Sequence, residues 1–159
     1  MISSRFGLAR ALALAVPVAL LAGAWGSQLI GGLIPCEMCH WQRWPHYAAI
    51  PIALLAFVPG LPQKLFVALA ALAIAVSGAI GVFHAGVEYH WWQGITACTS
   101  AIDTSKGDPL AAILAAPMIR CDAPQWQMFG ISLAGFNAII SIGSALVIFY
   151  LLVRSRKPA

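Results

Sequence analysis

The chain has 159 residues, of which 61% are hydrophobic and 9% are charged, and its mean hydropathy is +0.86. This exceeds the apolar content that one soluble core of this size can bury, which excludes an ordinary soluble domain and predicts a membrane protein. In a membrane protein a net charge of +4 is accounted for by the basic residues that set the orientation, so we expect no nucleic-acid partner.

Four apolar runs are long enough to cross the hydrocarbon core of a bilayer. They cover residues 11–34, 36–58, 65–83 and 129–153. The turn at 59–63 is short, so the second and third runs must be antiparallel neighbours. The predicted fold is all-α: a polytopic membrane protein with a four-transmembrane-helix bundle, formed by residues 1–159 as a single domain.

The first run also has features of a secretory signal peptide. Arg5 and Arg10 precede it, and Ala22, Gly23 and Ala24 offer a small-residue cleavage site. The run continues for 24 residues, however, whereas the apolar region of a signal peptide has about 7 to 15. We therefore expect an uncleaved span; cleavage would leave three spans and the same sidedness of the loops.

The basic residues give the orientation, because Lys and Arg near span ends are retained on the cytoplasmic side. One side carries six cations and no acid: Arg5, Arg10, Lys64, Arg154, Arg156 and Lys157. The other side carries all five acids and all four histidines, with only Arg43, Lys106 and Arg120. Both termini are therefore predicted to be cytoplasmic, and two loops to be external.

The second external loop, residues 86–128, is long for a four-helix protein and rich in turn-forming residues. Long ordered loops of this kind usually have a function. Within it, residues 110–118 are apolar but too few to span a bilayer. This segment suits a helix lying in the membrane interface, and equally one that packs on the bundle.

The four cysteines are candidate redox residues because they all lie on the external, oxidising side, where disulfides form and persist. Cys36 and Cys39 are three apart, and Cys98 and Cys121 lie in the second loop. Four cysteines allow three pairings, and the sequence does not choose among them. Two structural disulfides that tie down the loop of a non-catalytic scaffold are one interpretation, and redox-active pairs are the other.

The residues around the first pair favour a reactive thiolate. Pro35 suits the first position of a helix, which would place Cys36 in the first turn, where the helix dipole stabilises an anion. Cys36, Cys39 and Arg43 are spaced to share one helical face. Arg43 can therefore stabilise a thiolate at Cys39.

Two other sites compete for these cysteines. Residues 36–40 match C-x-x-C-H, the attachment motif of c-type haem, with His40 as an axial ligand. Haem would leave Cys98 and Cys121 unexplained. A zinc site formed by all four cysteines fits less well, because Cys98 and Cys121 are 23 residues apart and zinc sites commonly use short paired spacings.

Residues 34–43, Ile-Pro-Cys-Glu-Met-Cys-His-Trp-Gln-Arg, resemble the P-C-x-L-C-x-x-Q-R signature of the DsbB family, the disulfide-generating proteins of the bacterial inner membrane. Residues 83–88, Cys121-Asp122 and residues 129–137 add to the resemblance, which covers nearly the whole chain. Met38 replaces the usual Leu, a soft substitution. Vitamin K epoxide reductase relatives carry their C-x-x-C after the loop pair, so the cysteine order here is similar to that of DsbB.

The resemblance implies a role for each cysteine. Cys98 and Cys121 would form the loop disulfide that oxidises a periplasmic DsbA-like thiol oxidase, with Cys98 forming the mixed disulfide. Cys36 would then exchange with Cys121. Cys39, as a thiolate, would face a membrane quinone that accepts the electrons, in the direction by which such systems keep the periplasm oxidising.

The resemblance also implies the quinone contacts. Arg43, Gln42 and His84 would lie at the ubiquinone or menaquinone, with His90 as the alternative to His84, and no metal is expected. Asn137 is expected to form an interhelical hydrogen bond, and His40 and His46 to be interfacial. The implied location is the bacterial inner membrane, with the cysteines on the periplasmic side.

Overall fold

The computed structural model describes residues 4–96 and 120–155. Its elements in chain order are α1 (Ser4–Leu29), α2 (Glu37–Leu55), α3 (Gln63–Glu88), β1 (Gln127–Met128), β2 (Ile131–Ser132) and α4 (Leu133–Arg154). The predicted all-α, four-helix fold is confirmed. Cys98 and the apolar segment 110–118 lie outside the described residues.

Three of the described helices, α1, α3 and α4, are long and apolar enough to cross a membrane. The exception, α2, has 19 residues, which is about 28 Å at about 1.5 Å per residue. Its polar side chains Gln42, Arg43 and His46 are each at least 93% buried. Helix α2 therefore suits a bilayer because its polar groups face the other helices, where they find hydrogen-bond partners.

Helix α3 extends farther than the apolar run predicted, to Glu88 rather than to residue 83. Its end is covered by Trp92, whose Nε1 donates to Phe83 O at 2.9 Å. Gly86 makes this possible, because a Cβ there would lie 2.0 Å from the Trp92 ring. The external loop consequently begins after Tyr89, and Gly86, which the sequence placed at the start of the loop, lies within the helix.

The fourth predicted span begins four residues too early, at residue 129 instead of Leu133. A hairpin precedes the helix, with Gln127 paired to Ser132 and Met128 to Ile131. Phe129 and Gly130 in its turn have φ of 53° and 76°, the two positive values that a two-residue type I′ hairpin requires. Ser132 ends the hairpin and caps α4, accepting a hydrogen bond from Gly135 N at 3.1 Å.

Helices α3 and α4 pack closely because the residues between them are small. A Cβ at Gly78 would lie 2.7 Å from Ile142 Cγ1, and a Cβ at Gly81 would lie 3.0 Å from Ala134 O. This spacing brings Asn137 of α4 within hydrogen-bond distance of α2 and α3. The membrane part of the bundle therefore contains a buried polar layer just below the cysteines.

Candidate redox site

The first cysteine pair lies at the start of α2. Cys36 is the N-cap residue rather than a residue of the first turn as predicted, and its sulfur accepts a hydrogen bond from Cys39 N at 3.3 Å. Cys36 and Cys39 are free thiols, and the Cys36 thiol donates to the Cys39 sulfur over 3.0 Å. That hydrogen bond, followed by burial, raises the pKa of the Cys36 thiol. The two sulfurs are close enough for a small side-chain rotation to join them.

Cys121 belongs to the same buried cluster as Cys36. Met38 of α2 and Val87 of α3 complete that cluster. Cys121 is fully buried and disulfide-bonded, and Thr96 Oγ1 donates to its sulfur at 3.6 Å. The structure thus brings together three of the four predicted cysteines, Cys36, Cys39 and Cys121, whereas Cys98 lies outside the described part of the chain.

The segment that carries Cys121 is fastened to the first external loop. The Gln125 side chain pairs with the Ile34 backbone in both directions: Ile34 N donates to Oε1 at 3.1 Å, and Nε2 donates to Ile34 O at 2.6 Å. Nearer the cysteine, Arg120 forms a two-pronged ion pair with Asp122, both contacts being 2.9 Å, and this pair lowers the pKa of the Asp122 carboxyl. The pairing through Gln125 holds Cys121 beside the start of α2.

His84, rather than His90, lies against the thiols. Its Nε2 is 3.6 Å from Cys36 Sγ, and its Nδ1 is 2.7 Å from Gln42 Nε2. Glu88, one turn later in α3, has Oε1 3.8 Å from His84 Nε2, and its other carboxylate oxygen accepts from the Ser132 hydroxyl. His90 is exposed in the turn after α3.

A buried polar network continues from Gln42 into the bundle. Asn137 Nδ2 donates to Gln42 Oε1 at 2.9 Å and to Ser77 O at 3.2 Å. Asn137 Oδ1 lies 3.1 Å from Nε2 of His46, which is 3% exposed. The interhelical role expected for Asn137 is therefore present. His46 is a member of this network and is not the interfacial residue that the sequence predicts.

Arg43 is held at the interface of α2 with α1. It donates to Gln28 Oε1 at 2.8 Å and to Ala24 O at 3.2 Å, and its guanidinium lies 5.6 Å from the centre of the Trp25 ring. Cys39 and Arg43 both line a cavity of about 230 Å³ between α1, α2 and α4. The remaining wall is mostly apolar, and its other polar residues are Ser27, Gln42, His46 and Asn137.

A second, smaller cavity of about 60 Å³ lies on the loop side of the thiols. Cys36, Cys39 and His84 line it together with Glu88. His84 therefore lines this cavity but does not line the larger one. By spacing alone, Cys36, Cys39 and His84 could hold a thiophilic metal ion, since their ligand atoms lie within 4.8 Å of one another. The haem alternative fits poorly, because Cys36 is only 2% exposed and leaves no room for a macrocycle on its sulfur.

Three residues of the site were not predicted from the sequence: Ser77, Gln125 and Ser132. Ser132 had a local signal, since a serine directly before an apolar run is typical of an N-cap. Gln125 had none, because its partner Ile34 is 91 residues away in the sequence. Ser77 is small, which by itself indicates only close helix packing, yet its hydroxyl donates to Gln42 O at 2.7 Å.

A family model matches residues 6–151, and its description is "Disulfide bond formation protein DsbB". Among the curated relatives is a disulfide bond formation protein B of Paracidovorax citrulli, 29% identical over 158 residues, which covers 94% of this chain and 88% of that protein. An uncharacterised protein of Rickettsia prowazekii is 25% identical over 142 residues, covering 87% of this chain and 83% of its own. No solved structure matches the chain significantly.

Proposed function

The chain belongs to the DsbB family of multi-pass membrane proteins that form disulfide bonds, and from this membership we propose that it is a quinone-dependent oxidoreductase which reoxidises a periplasmic DsbA-like dithiol protein. The family already implies a disulfide-generating oxidoreductase. The proposal adds the order in which the cysteines act and the electron acceptor. The observation that supports it most is the shared burial of Cys36 and Cys121 beside Cys39.

We assign the loop disulfide to Cys98 and Cys121. Cys121 is disulfide-bonded while Cys36 and Cys39 are free, and Cys98 is the fourth cysteine of the chain. A thiolate of the partner protein attacks Cys98, releasing Cys121 as a thiolate and forming a mixed disulfide. The partner's second thiolate then attacks the partner's sulfur in the mixed disulfide, which releases Cys98 as a thiolate and leaves the partner with a disulfide.

The electrons then pass to the first pair, which enters this step as a disulfide. The Cys121 thiolate attacks Cys36, and the Cys36–Cys39 bond breaks with its electron pair on Cys39. The Cys98 thiolate next attacks Cys121, so that the Cys98–Cys121 disulfide forms again and Cys36 leaves as a thiolate. The result is an oxidised loop pair and a reduced first pair, which is the state of Cys36, Cys39 and Cys121 described above.

The larger cavity fits a quinone. It is mainly apolar, as a quinone ring requires, and Arg43 has five N–H groups of which its two contacts to α1 use only part. A bound quinone would supply the two-electron acceptor that returns Cys36 and Cys39 to the disulfide. On the protein side, Arg43 would hold a quinone carbonyl and stabilise a thiolate at Cys39, and Gln42 lies in the same wall.

The same arrangement explains how the first pair can be strongly oxidising. A disulfide becomes a stronger oxidant when its reduced form is stabilised. The N-terminus of α2, the backbone N–H of Cys39 and the nearby Arg43 all favour a thiolate in the reduced pair. We place the cysteines in the periplasm and both termini in the cytoplasm, following the distribution of basic residues.

A thiol count tests the proposal. The purified protein is fully reduced, and free thiols are counted by alkylation and mass spectrometry before and after addition of a soluble ubiquinone or menaquinone analogue, while the visible spectrum is recorded. We expect the loss of two thiols per added quinone, at Cys36 and Cys39 first and, after exchange, at Cys98 and Cys121, and no Soret band. Thiols that survive excess quinone would support the scaffold alternative, and a Soret band would support haem.

The matched control is Cys39→Ser, which removes the thiol that lines the larger cavity and replaces only the sulfur atom. It should leave quinone unreduced. Quinone reduction at the normal rate in this variant would overturn the assignment of Cys39.

A further inference from the structure

Two backbone carbonyls fix the direction of the buried hydrogen bonds that lead to His84. Gln42 Nε2 lies 3.3 Å from Met38 O, and Asn137 Nδ2 lies 3.2 Å from Ser77 O. A carbonyl oxygen only accepts hydrogen bonds, so the amide nitrogen of each side chain must occupy these positions. The orientation of both amides is therefore set by the backbones of α2 and α3.

The tautomer of His84 follows from this orientation. Asn137 Nδ2 donates to Gln42 Oε1 at 2.9 Å, and Gln42 Nε2 donates to His84 Nδ1 at 2.7 Å. In a neutral imidazole one ring nitrogen accepts and the other carries the proton. His84 Nδ1 is thus the acceptor, and its proton is on Nε2.

That N–H points to the thiol site. Cys36 Sγ is 3.6 Å from Nε2 and Glu88 Oε1 is 3.8 Å from it, and the backbone of Cys121 also forms a hydrogen bond with the His84 ring. His84 is 2% exposed and Cys36 is equally buried, so bulk water does not compete for this contact. The Cys36 sulfur also accepts from Cys39 N, which gives it two N–H donors.

We propose that His84 serves Cys36 as a neutral hydrogen-bond donor, and that Gln42 and Asn137 are positioning residues that hold His84 in this tautomer. His84 cannot act as an acid in this state, because loss of the Nε2 proton would leave an imidazolate. It cannot readily act as a base either, since a proton on Nδ1 would face the Gln42 N–H. The donor is built to stabilise an anion without exchanging a proton, an arrangement known from other enzymes that use a neutral histidine.

The anion is the Cys36 thiolate, and here the inference rests on the proposed function. When Cys98 attacks Cys121, the Cys36–Cys121 bond breaks and its electron pair remains on Cys36. Cys36 is the buried thiol of the pair, and a thiolate there needs compensation for lost solvation. The N–H groups of His84 and Cys39 supply that compensation. Gln42 and His84 therefore act on Cys36, while Arg43 serves the quinone side of the site.

The tautomer of His84 also affects whether Cys36, Cys39 and His84, whose ligand atoms are close enough to share a metal ion, can bind one. A histidine binds a metal through an unprotonated nitrogen and donates its other N–H to a neighbour. Here the nitrogen that faces the sulfurs carries the proton, and the other faces a donor. For His84 to bind a metal through Nε2, the side-chain amides of Gln42 and Asn137 would both have to turn over, so that oxygen and nitrogen exchange places. Their oxygens would then face the carbonyl oxygens of Met38 and Ser77, which cannot donate a hydrogen bond.

The first test is spectroscopic and needs neither quinone nor the partner protein. Reduced protein with ¹⁵N-labelled histidine is placed in nanodiscs, and the ring nitrogens of His84 are assigned by their loss in His84→Gln. We expect an unprotonated Nδ1 and a protonated Nε2, unchanged from about pH 6 to 8, where a free histidine would titrate. An Nδ1–H tautomer or an imidazolium in this range would overturn the proposal.

The second test separates positioning from folding. In Asn137→Asp, the carboxylate cannot donate to Gln42 and should draw Gln42 Nε2 to itself, which presents Oε1 to His84 and moves the His84 proton to Nδ1. Asn137 has no direct hydrogen bond to His84 in the described structure, so a merely structural role would not shift the tautomer. Gln42→Glu is the second variant and should shift it in the same direction. A wild-type tautomer in both folded variants would overturn the positioning role.

The third test measures the thiolate. Alkylation of Cys36 is followed in a background where the other three cysteines are serine. All variants are compared at one pH, because the ionisable residues Glu88, Arg43 and Arg120 line the same cavity. We expect His84→Ala and Asn137→Asp to slow alkylation about tenfold, the effect of one hydrogen bond to a charged group. His40→Ala, an exposed histidine beside the site, should not. Unchanged rates would overturn the donor role and leave quinone-dependent oxidation untouched.

Discussion

The sulfurs of Cys36 and Cys39 lie 3.0 Å apart, and the hydrogen bond between them runs from Cys36 to Cys39. Cys36 is 2% exposed and belongs to the buried cluster that contains Cys121, whereas Cys39 is half-buried and also lines the larger cavity. Both thiols thus line the smaller cavity, and of the two only Cys39 also reaches the larger one. This suits a pair that receives electrons on one side and gives them up on the other.

The first prediction concerns the order of alkylation in the reduced protein. The pKa of Cys36 is raised by its hydrogen bond to Cys39 and by burial, so Cys36 stays a neutral thiol over a wider range of pH than a free cysteine. A small alkylating agent near pH 7 should modify Cys39 first, and modification of Cys36 should increase only above about pH 9, the upper end of the ordinary thiol range. Peptide mass spectrometry after short pulses measures the order, and equal rates at neutral pH would contradict it.

The second prediction concerns Arg43. Arg43→Ala removes the cation beside Cys39 and its contacts with Gln28 and Ala24. We expect the apparent KM for quinone to rise about tenfold or more, the effect of losing a charged hydrogen bond, with partner binding almost unchanged. Steady-state quinone reduction and partner affinity are measured separately. Lys64→Ala, which removes a cation at the other end of the bundle, is the control. An unchanged KM in Arg43→Ala would count against the quinone assignment.

The third prediction concerns Cys98. Cys98→Ala should abolish the mixed disulfide with the DsbA-like partner, since Cys98 is the proposed point of attack. The Cys36–Cys39 pair should still be oxidised by quinone, because that step does not use the loop cysteines. Non-reducing gels with a trapping variant of the partner measure the first effect, and the thiol count measures the second. Continued trapping of the partner would refute the role of Cys98.

The fourth prediction concerns helix packing. Gly81→Ala would place a methyl group 3.0 Å from Ala134 O and 3.1 Å from Asn137 Nδ2, and backbone atoms cannot yield as a flexible side chain can. We expect a loss of about 1 to 3 kcal/mol in the free energy of unfolding and a displaced Asn137. Gly143→Ala is the matched control, because a Cβ there has no neighbour within 4 Å. Thermal unfolding in one detergent compares the two, and equal melting temperatures would show that α3 and α4 can separate at little cost.

Much of this protein follows from its sequence alone. The apolar runs determined four helices, because a bilayer demands a minimum apolar length. The spacing of Cys36, Cys39 and Arg43 placed all three at the start of α2, with Cys36 as its N-cap, because the geometry of a helix is local. Residues 34–43 also carry the resemblance to the DsbB family. The bounds of the helices were less accurate. Helix α1 covers Ser4–Leu29 and not residues 11–34, and the bounds of α3 and α4 depend on Gly86 beneath Trp92 and on the turn at Phe129, because hydropathy records neither packing nor backbone angles.

The tertiary structure decided which groups meet. Cys121 lies beside Cys36 because Gln125 pairs with Ile34, a contact between residues 91 apart in the sequence. Sequence left His84 and His90 as alternatives; the fold places His84 against Cys36 and leaves His90 exposed. The direction of the hydrogen bonds from Asn137 through Gln42 to His84 depends on carbonyls of two helices. Composition and spacing can name such residues, but only packed backbones fix which atom donates and which accepts.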